Sequence, residues 1–191
     1  MRIAAVEVDP DDKSGTVWLH TLEGRQADGS WTNLCVPGPD KRQQGFPLMV
    51  KGTLEFVCSA GALAKCVRFG YRPWANGPDG KSLAPQHAAC VRMVRGDYGG
   101  SEEPWTKDGM WIDIYDPQGI QVTDNDPDLV FEAGWGPDGA VCVHHVRVKE
   151  NITLKALEAK YPRLKGRTGA ICTEAYARSQ GALIFNRSAD K

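Results

Sequence analysis

Residues 110–148, MWIDIYDPQGIQVTDNDPDLVFEAGWGPDGAVCVHHVRV, set the fold class. Trp111, Asp113 and Tyr115 alternate with Met110, Ile112 and Ile114, the period of two expected of a strand with unlike faces. PQG (117–119) predicts a turn into a short strand at 120–123, and LVFEAGW (129–135) predicts another strand. GPDGA (136–140) then turns the chain into VCVHHVRV (141–148). Strands joined by connections this short pair antiparallel.

The preceding segment is helical. Ser59 is expected to cap a helix through Val67 that Gly70 and Pro73 stop. Ser82 is expected to cap LAPQHAACVRMVR (83–95), with Pro85 tolerated in its first turn and His87 and Cys90 on its apolar stripe. Nearer the start, IAAVEV (3–8) and TVWLHT (16–21) read as a hairpin-like pair of strands. A strand near 30–36 carries Trp31 and Cys35, and LMVKGTLEFV (48–57) reads as one strand. The tail predicts helices at 153–160 and 168–179, ended by Pro162 and Gly181, and a short last strand, ALIF (182–185). The order of these runs gives an α+β fold, a mainly antiparallel sheet of short strands with three or four short helices, stabilised by disulfides. The expected organisation is a single domain over 1–191, with a β portion at 1–57, a central portion at 58–148 and a helical tail at 149–191.

Composition narrows the function classes. The 191 residues are 41% hydrophobic and 25% charged, which excludes disorder. With 23 basic and 24 acidic residues the net charge is −1, so the basic footprint of a nucleic-acid binder is missing. No run approaches the roughly 20 apolar residues of a membrane span. Cys35, Cys58, Cys66, Cys90, Cys142 and Cys172 are even in number, scattered and free of CxxC spacing, which fits structural disulfides in a periplasmic or secreted protein. The start, MRIAAVEVDPDD, reads as a strand, so an exported chain is expected to have lost its leader and Met1 need not be native. Six cysteines allow 15 pairings. Cys66–Cys90 and Cys90–Cys142 compete as staples, with Cys35 tied to Cys172.

Candidate chemistry is sparse. His87 and Cys90, one helical turn apart, could form a nucleophile and base, with Asp97, Asp108, Asp113 or Asp116 as a third group; the plainer reading is a half-cystine beside a core histidine. His87, Cys90, Cys142 and His144 are zinc-ligand types at spacings that match no common finger. Asp124, Asp126 and Asp128 open like a calcium loop, but Leu129 and Trp135 stand where glycine and glutamate are needed. No metal and no cofactor is therefore expected. Arg72, Trp74, Tyr98, Trp105, Trp111, Asp113, Tyr115 and Trp135 could line an aromatic and acidic groove for a glycan or peptide, or the indoles could simply fill a core. Asp97 sits at the unfavourable end of a helix dipole, which predicts a partner in Arg92 or Arg95.

The stretch from Cys58 to Val148 resembles the bacterial ADYC-domain family through GALAKCVRFGYRPW (61–74), HAACVRMVRGDYGG (87–100), WTKDGMWIDIYDPQGI (105–120) and FEAGWGPDGAVCV (131–143). The motif of the family name reads Gly96-Asp97-Tyr98-Gly99, with glycine in the cysteine's place. The resemblance implies an exported protein and supplies no catalytic residue. Together these readings favour an exported binding or structural module, with a hydrolase or transferase using Cys90/His87 or the Asp97/Asp108/Asp113 carboxylates as the alternative.

Overall fold

A computed structural model describes residues 1–12, 14–38 and 40–190, and divides the chain into two units, Met1–Gly70 and Tyr71–Lys191. The N-terminal unit contains β1 (Arg2–Val8), β2 (Trp18–Arg25), β3 (Trp31–Asn33), β4 (Gly45–Val50), β5 (Thr53–Cys58) and the helix α1 (Ala62–Arg68). Its antiparallel sheet runs β1-β2-β4-β5, with β3 on β2. Leu19, Phe46, Leu48 and Val57 point inward and are buried with Ala64 and Val67 of α1.

LMVKGTLEFV, expected as one strand, is a hairpin. Lys51 and Gly52 both have positive φ (48° and 83°), and Val50 pairs with Thr53 across this two-residue turn. The left-handed pair matches the twist of the flanking strands, and the glycine makes it possible. Ser59 caps nothing: the N-cap of α1 is Gly61, without a side-chain bond.

The C-terminal unit contains α2 (Ala84–Arg95), β6 (Ile112–Tyr115), β7 (Val130–Gly136), β8 (Gly139–Val143), α3 (Leu154–Lys160), α4 (Glu174–Ser179) and β9 (Ile184–Ser188). All its strands pair antiparallel in the order β6-β9-β7-β8, so the last strand occupies the middle of the sheet. α2 lies against β7, β8 and β9, and α4 against β7. Leu83 holds the N-cap of α2, while the Ser82 hydroxyl accepts from the Ala84 amide at 3.2 Å. The strand expected at 120–123 is absent. Asp116 instead accepts backbone N–H bonds from Gln118, Ile120 and Gln121 and coils the segment into a loop. The helix expected at 168–179 is a 3-10 turn at 169–171 followed by α4, and Thr153 and Thr173 cap α3 and α4.

No described cysteine is free. Cys35 pairs with Cys58 and Cys142 with Cys172. The expected Cys35–Cys172 tie and the Cys90–Cys142 alternative are therefore both wrong. Each of these two bonds closes within one unit, because β3 and β5 bring 35 and 58 together and the turn before α4 brings 172 under β8. Cys66 and Cys90 are half-cystines as well. Non-reducing peptide mapping should recover the 35–58 and 142–172 peptides. Replacing Cys142 and Cys172 together by alanine should cost about 3.5 kcal/mol in urea unfolding, on loop-closure entropy for a separation of 30 residues.

Candidate functional site

The Gly96–Gly99 motif lies where α2 ends, and each residue has a distinct physical task. Gly96 takes the left-handed conformation (φ 61°) that stops the helix. The fully buried Asp97 carboxylate accepts from the amides of Ser101 (3.0 Å) and Glu102 (2.8 Å) and pairs with Arg92 at 2.6 Å. Arg92 is thus the partner expected from the dipole argument. Tyr98 is buried and stacks on Trp135 with ring centroids 5.2 Å apart. At Gly99 a Cβ would overlap the Tyr161 ring, so the position stands empty of a side chain because a tyrosine fills the space. Gly99→Ala should destabilise by about 1–3 kcal/mol through overpacking. In urea unfolding that loss should shrink in a Tyr161→Ala background, and an unchanged loss would remove the steric account.

Tyr98 leads into a buried network. Its hydroxyl donates to Glu132 Oε1 (2.9 Å) and accepts from the Arg147 amide (3.1 Å). The Arg147 guanidinium donates to both Glu132 oxygens at 2.8–3.1 Å. Asn186 Nδ2 donates to Glu132 Oε2 (2.7 Å), and Trp135 Nε1 donates to Asn186 Oδ1 (2.7 Å). Burial pushes the Glu132 carboxyl up, but the Arg147 charge and these hydrogen bonds outweigh it and hold the group below the usual carboxylate range. Burial and the Glu132 charge push the Tyr98 phenol well above its ordinary range, so it stays protonated. A carboxylate engaged by an arginine, a tyrosine and an asparagine at once is a framework group.

His145 lies beside this network. Its Nδ1 is 3.1 Å from the Phe131 carbonyl and its Nε2 3.0 Å from Ser188 Oγ. Burial lowers its affinity for a proton, against the raising effect of Glu132 and Asp190. A histidine held neutral stabilises the fold above its unfolded pKa, and that stability is lost as pH falls through the folded value. Stability should therefore decline as pH drops below about 6.5, and again below the ordinary carboxylate range as Glu132 protonates. Urea midpoints across pH should show the first step vanish in His145→Gln while the second persists.

The other expected site residues are dispersed. Asp113 is buried and accepts from the Thr123 hydroxyl and the Asp124 amide, with Arg187 at 4.0 Å. Tyr115 is buried and donates to Glu174 of α4 at 2.8 Å. His87 is buried in α2, and Cys90 is a half-cystine without a thiol. Asp108 is exposed, while Arg72 and Trp105 are half-buried. Trp105 donates to the Tyr161 hydroxyl and lies under the Lys160 ammonium. Trp74 (56% exposed) and Trp111 (66%) are open, but at opposite ends of β6: Trp111 precedes the strand, and Tyr71 of the Trp74 loop bonds Asp116 beyond its end. Asp126 accepts from the Asp128 amide in an ordinary turn. Among the described residues no three His, Cys, Asp or Glu side chains group as a metal site. No described helix is long and apolar enough to cross a membrane.

Among the described residues, ten of fifteen exposed large hydrophobic side chains lie in the N-terminal unit. Strand pairing sorts most of them onto one face. Val8 opposes Trp18, Val6 opposes His20 and Ile3 opposes Leu22, while Pro47 opposes Phe56 and Met49 opposes Leu54. Gly45 joins the two sets opposite His20, and Leu34 covers Gly24. The strand positions of this outer face carry no Asp, Glu, Lys or Arg. Arg2, Glu7, Glu23, Arg25 and Glu55 all fall on the inner face. Sequence reading misses this face because a single strand over 48–57 puts Met49 and Leu54 on opposite sides. It misses Glu132 and Arg147 too, although an acid and an arginine of opposite sign inside apolar runs are the available signal.

A family model described as ADYC domain matches residues 1–149. The match takes in the whole N-terminal unit as well as the segments quoted above. No curated protein and no solved structure matches the chain.

Proposed function

The chain belongs to the ADYC domain family, and from that premise we propose that it is an exported, periplasmic or secreted binding module that uses the outer face of its N-terminal sheet. One contrast carries the reading. Cys90 is closed into a disulfide, and Asp97, Asp113 and Glu132 are held in ion pairs and hydrogen bonds, whereas a large apolar surface is left open. Exposed patches of this kind mark interaction sites. The paired cysteines support an oxidising compartment. The competing hydrolase or transferase would need a thiolate, which Cys90 lacks, or paired carboxylates, whereas Asp97 and Asp113 are buried in turns and Asp108 lies apart on the surface.

The bound partner is a protein surface or peptide segment, matched to an aliphatic and tryptophan face rather than to a polar cleft. A photoreactive benzoylphenylalanine at Leu54 should give a defined protein adduct in cells, and one at exposed Lys107 should give none. Adducts at Trp111 instead of Leu54 would move the site to the C-terminal unit, and no adduct at either would overturn the binding reading. The chain recovered from the extracytoplasmic fraction should show no maleimide-reactive thiol before reduction. Six reactive thiols in the folded chain would overturn export.

A further inference from the structure

We propose that the outer face of the N-terminal sheet packs on the same face of a second copy of this chain, forming a two-fold symmetric sheet-on-sheet dimer. The inference rests on that face being the binding surface, and three observations select a second copy as its occupant. The first is area. From their exposed fractions, Ile3, Val6, Val8, Trp18, Leu34, Met49 and Leu54 present on the order of 700 Å² of surface, close to what one partner contributes to a standard protein interface. Monomers seldom leave so large an apolar patch open.

The second is charge. A face without Asp, Glu, Lys or Arg at its strand positions meets its own copy without repulsion between such charges and without burying them. Depletion of charge with retention of tryptophan and methionine is the composition of an interface centre. The third is shape. The face belongs to an antiparallel sheet whose other side buries Leu19, Phe46, Leu48 and Val57 with Ala64 and Val67 of α1, so it is the side of that packed region still open to a second layer. A two-fold axis brings the same patch of each copy together, residue i meeting j and j meeting i, so an apolar face without Asp, Glu, Lys or Arg meets another such face.

Sedimentation equilibrium of the oxidised chain at micromolar concentration is expected to give twice the chain mass. Leu54→Glu and Val6→Glu should each raise the dissociation constant at least tenfold. Val122→Glu, at a more exposed position in the other unit, should leave it unchanged. Circular dichroism and an intact Cys35–Cys58 peptide verify folding, and Met49→Glu replaces either variant that fails this control. A monomer at these concentrations, or a dimer indifferent to Leu54→Glu and Val6→Glu, overturns the proposal. If the chain is monomeric but a photoreactive group at Leu54 captures a different protein, only self-association is lost. If it is monomeric and Leu54 captures nothing, the binding surface is lost as well.

Discussion

Glu132 and Arg147 form an ion pair from which water is excluded, and the larger unit is arranged around satisfying it. Desolvating two charges costs several kcal/mol per ion, and Coulomb attraction alone need not repay that cost. The remaining bonds therefore decide the balance. Tyr98 comes from the turn after α2, Asn186 from β9, and the His144 amide donates to the Glu132 carbonyl at 2.7 Å. Segments far apart in sequence are thereby fixed in one place. A core of aliphatic side chains tolerates small slips, whereas a buried charge with its donors misplaced does not.

The part of this arrangement legible in the sequence was the part set by local rules. Element types and the pairing of Asp97 with a nearby arginine follow from short-range spacing and the helix dipole, whereas the N-caps expected at Ser59 and Ser82 fall on Gly61 and Leu83. What escaped depended on long-range pairing or on unusual local conformation. Lys51-Gly52 is a weaker hairpin signal than Asn-Gly, because lysine seldom adopts positive φ, so two strands read as one. Asp113 and Tyr115 looked like an open strand face because nothing local reveals that Glu174 of α4 meets Tyr115 and that Thr123 and Asp124 close on Asp113. The chain order of the cysteines also carried no information about which strands would bring them together.

The family motif is explained by the same geometry. Asp97 and Tyr98 are buried and engaged with their own chain, so they shape the turn and anchor the network. Where the family name has a cysteine, this chain has a glycine under the Tyr161 ring. The motif is thus an architectural device in this chain.

The position of β9 constrains how the protein can be made. It pairs with both β6 and β7, yet it ends at residue 188. While the chain is still being synthesised, β6 and β7 have no common neighbour, and Glu132 lacks Asn186. The C-terminal sheet can close only after Ser188 has emerged. Until then two strand edges stand open to invasion by another nascent chain. A chain cut short just before β9 would lose the middle of its sheet rather than a frayed end.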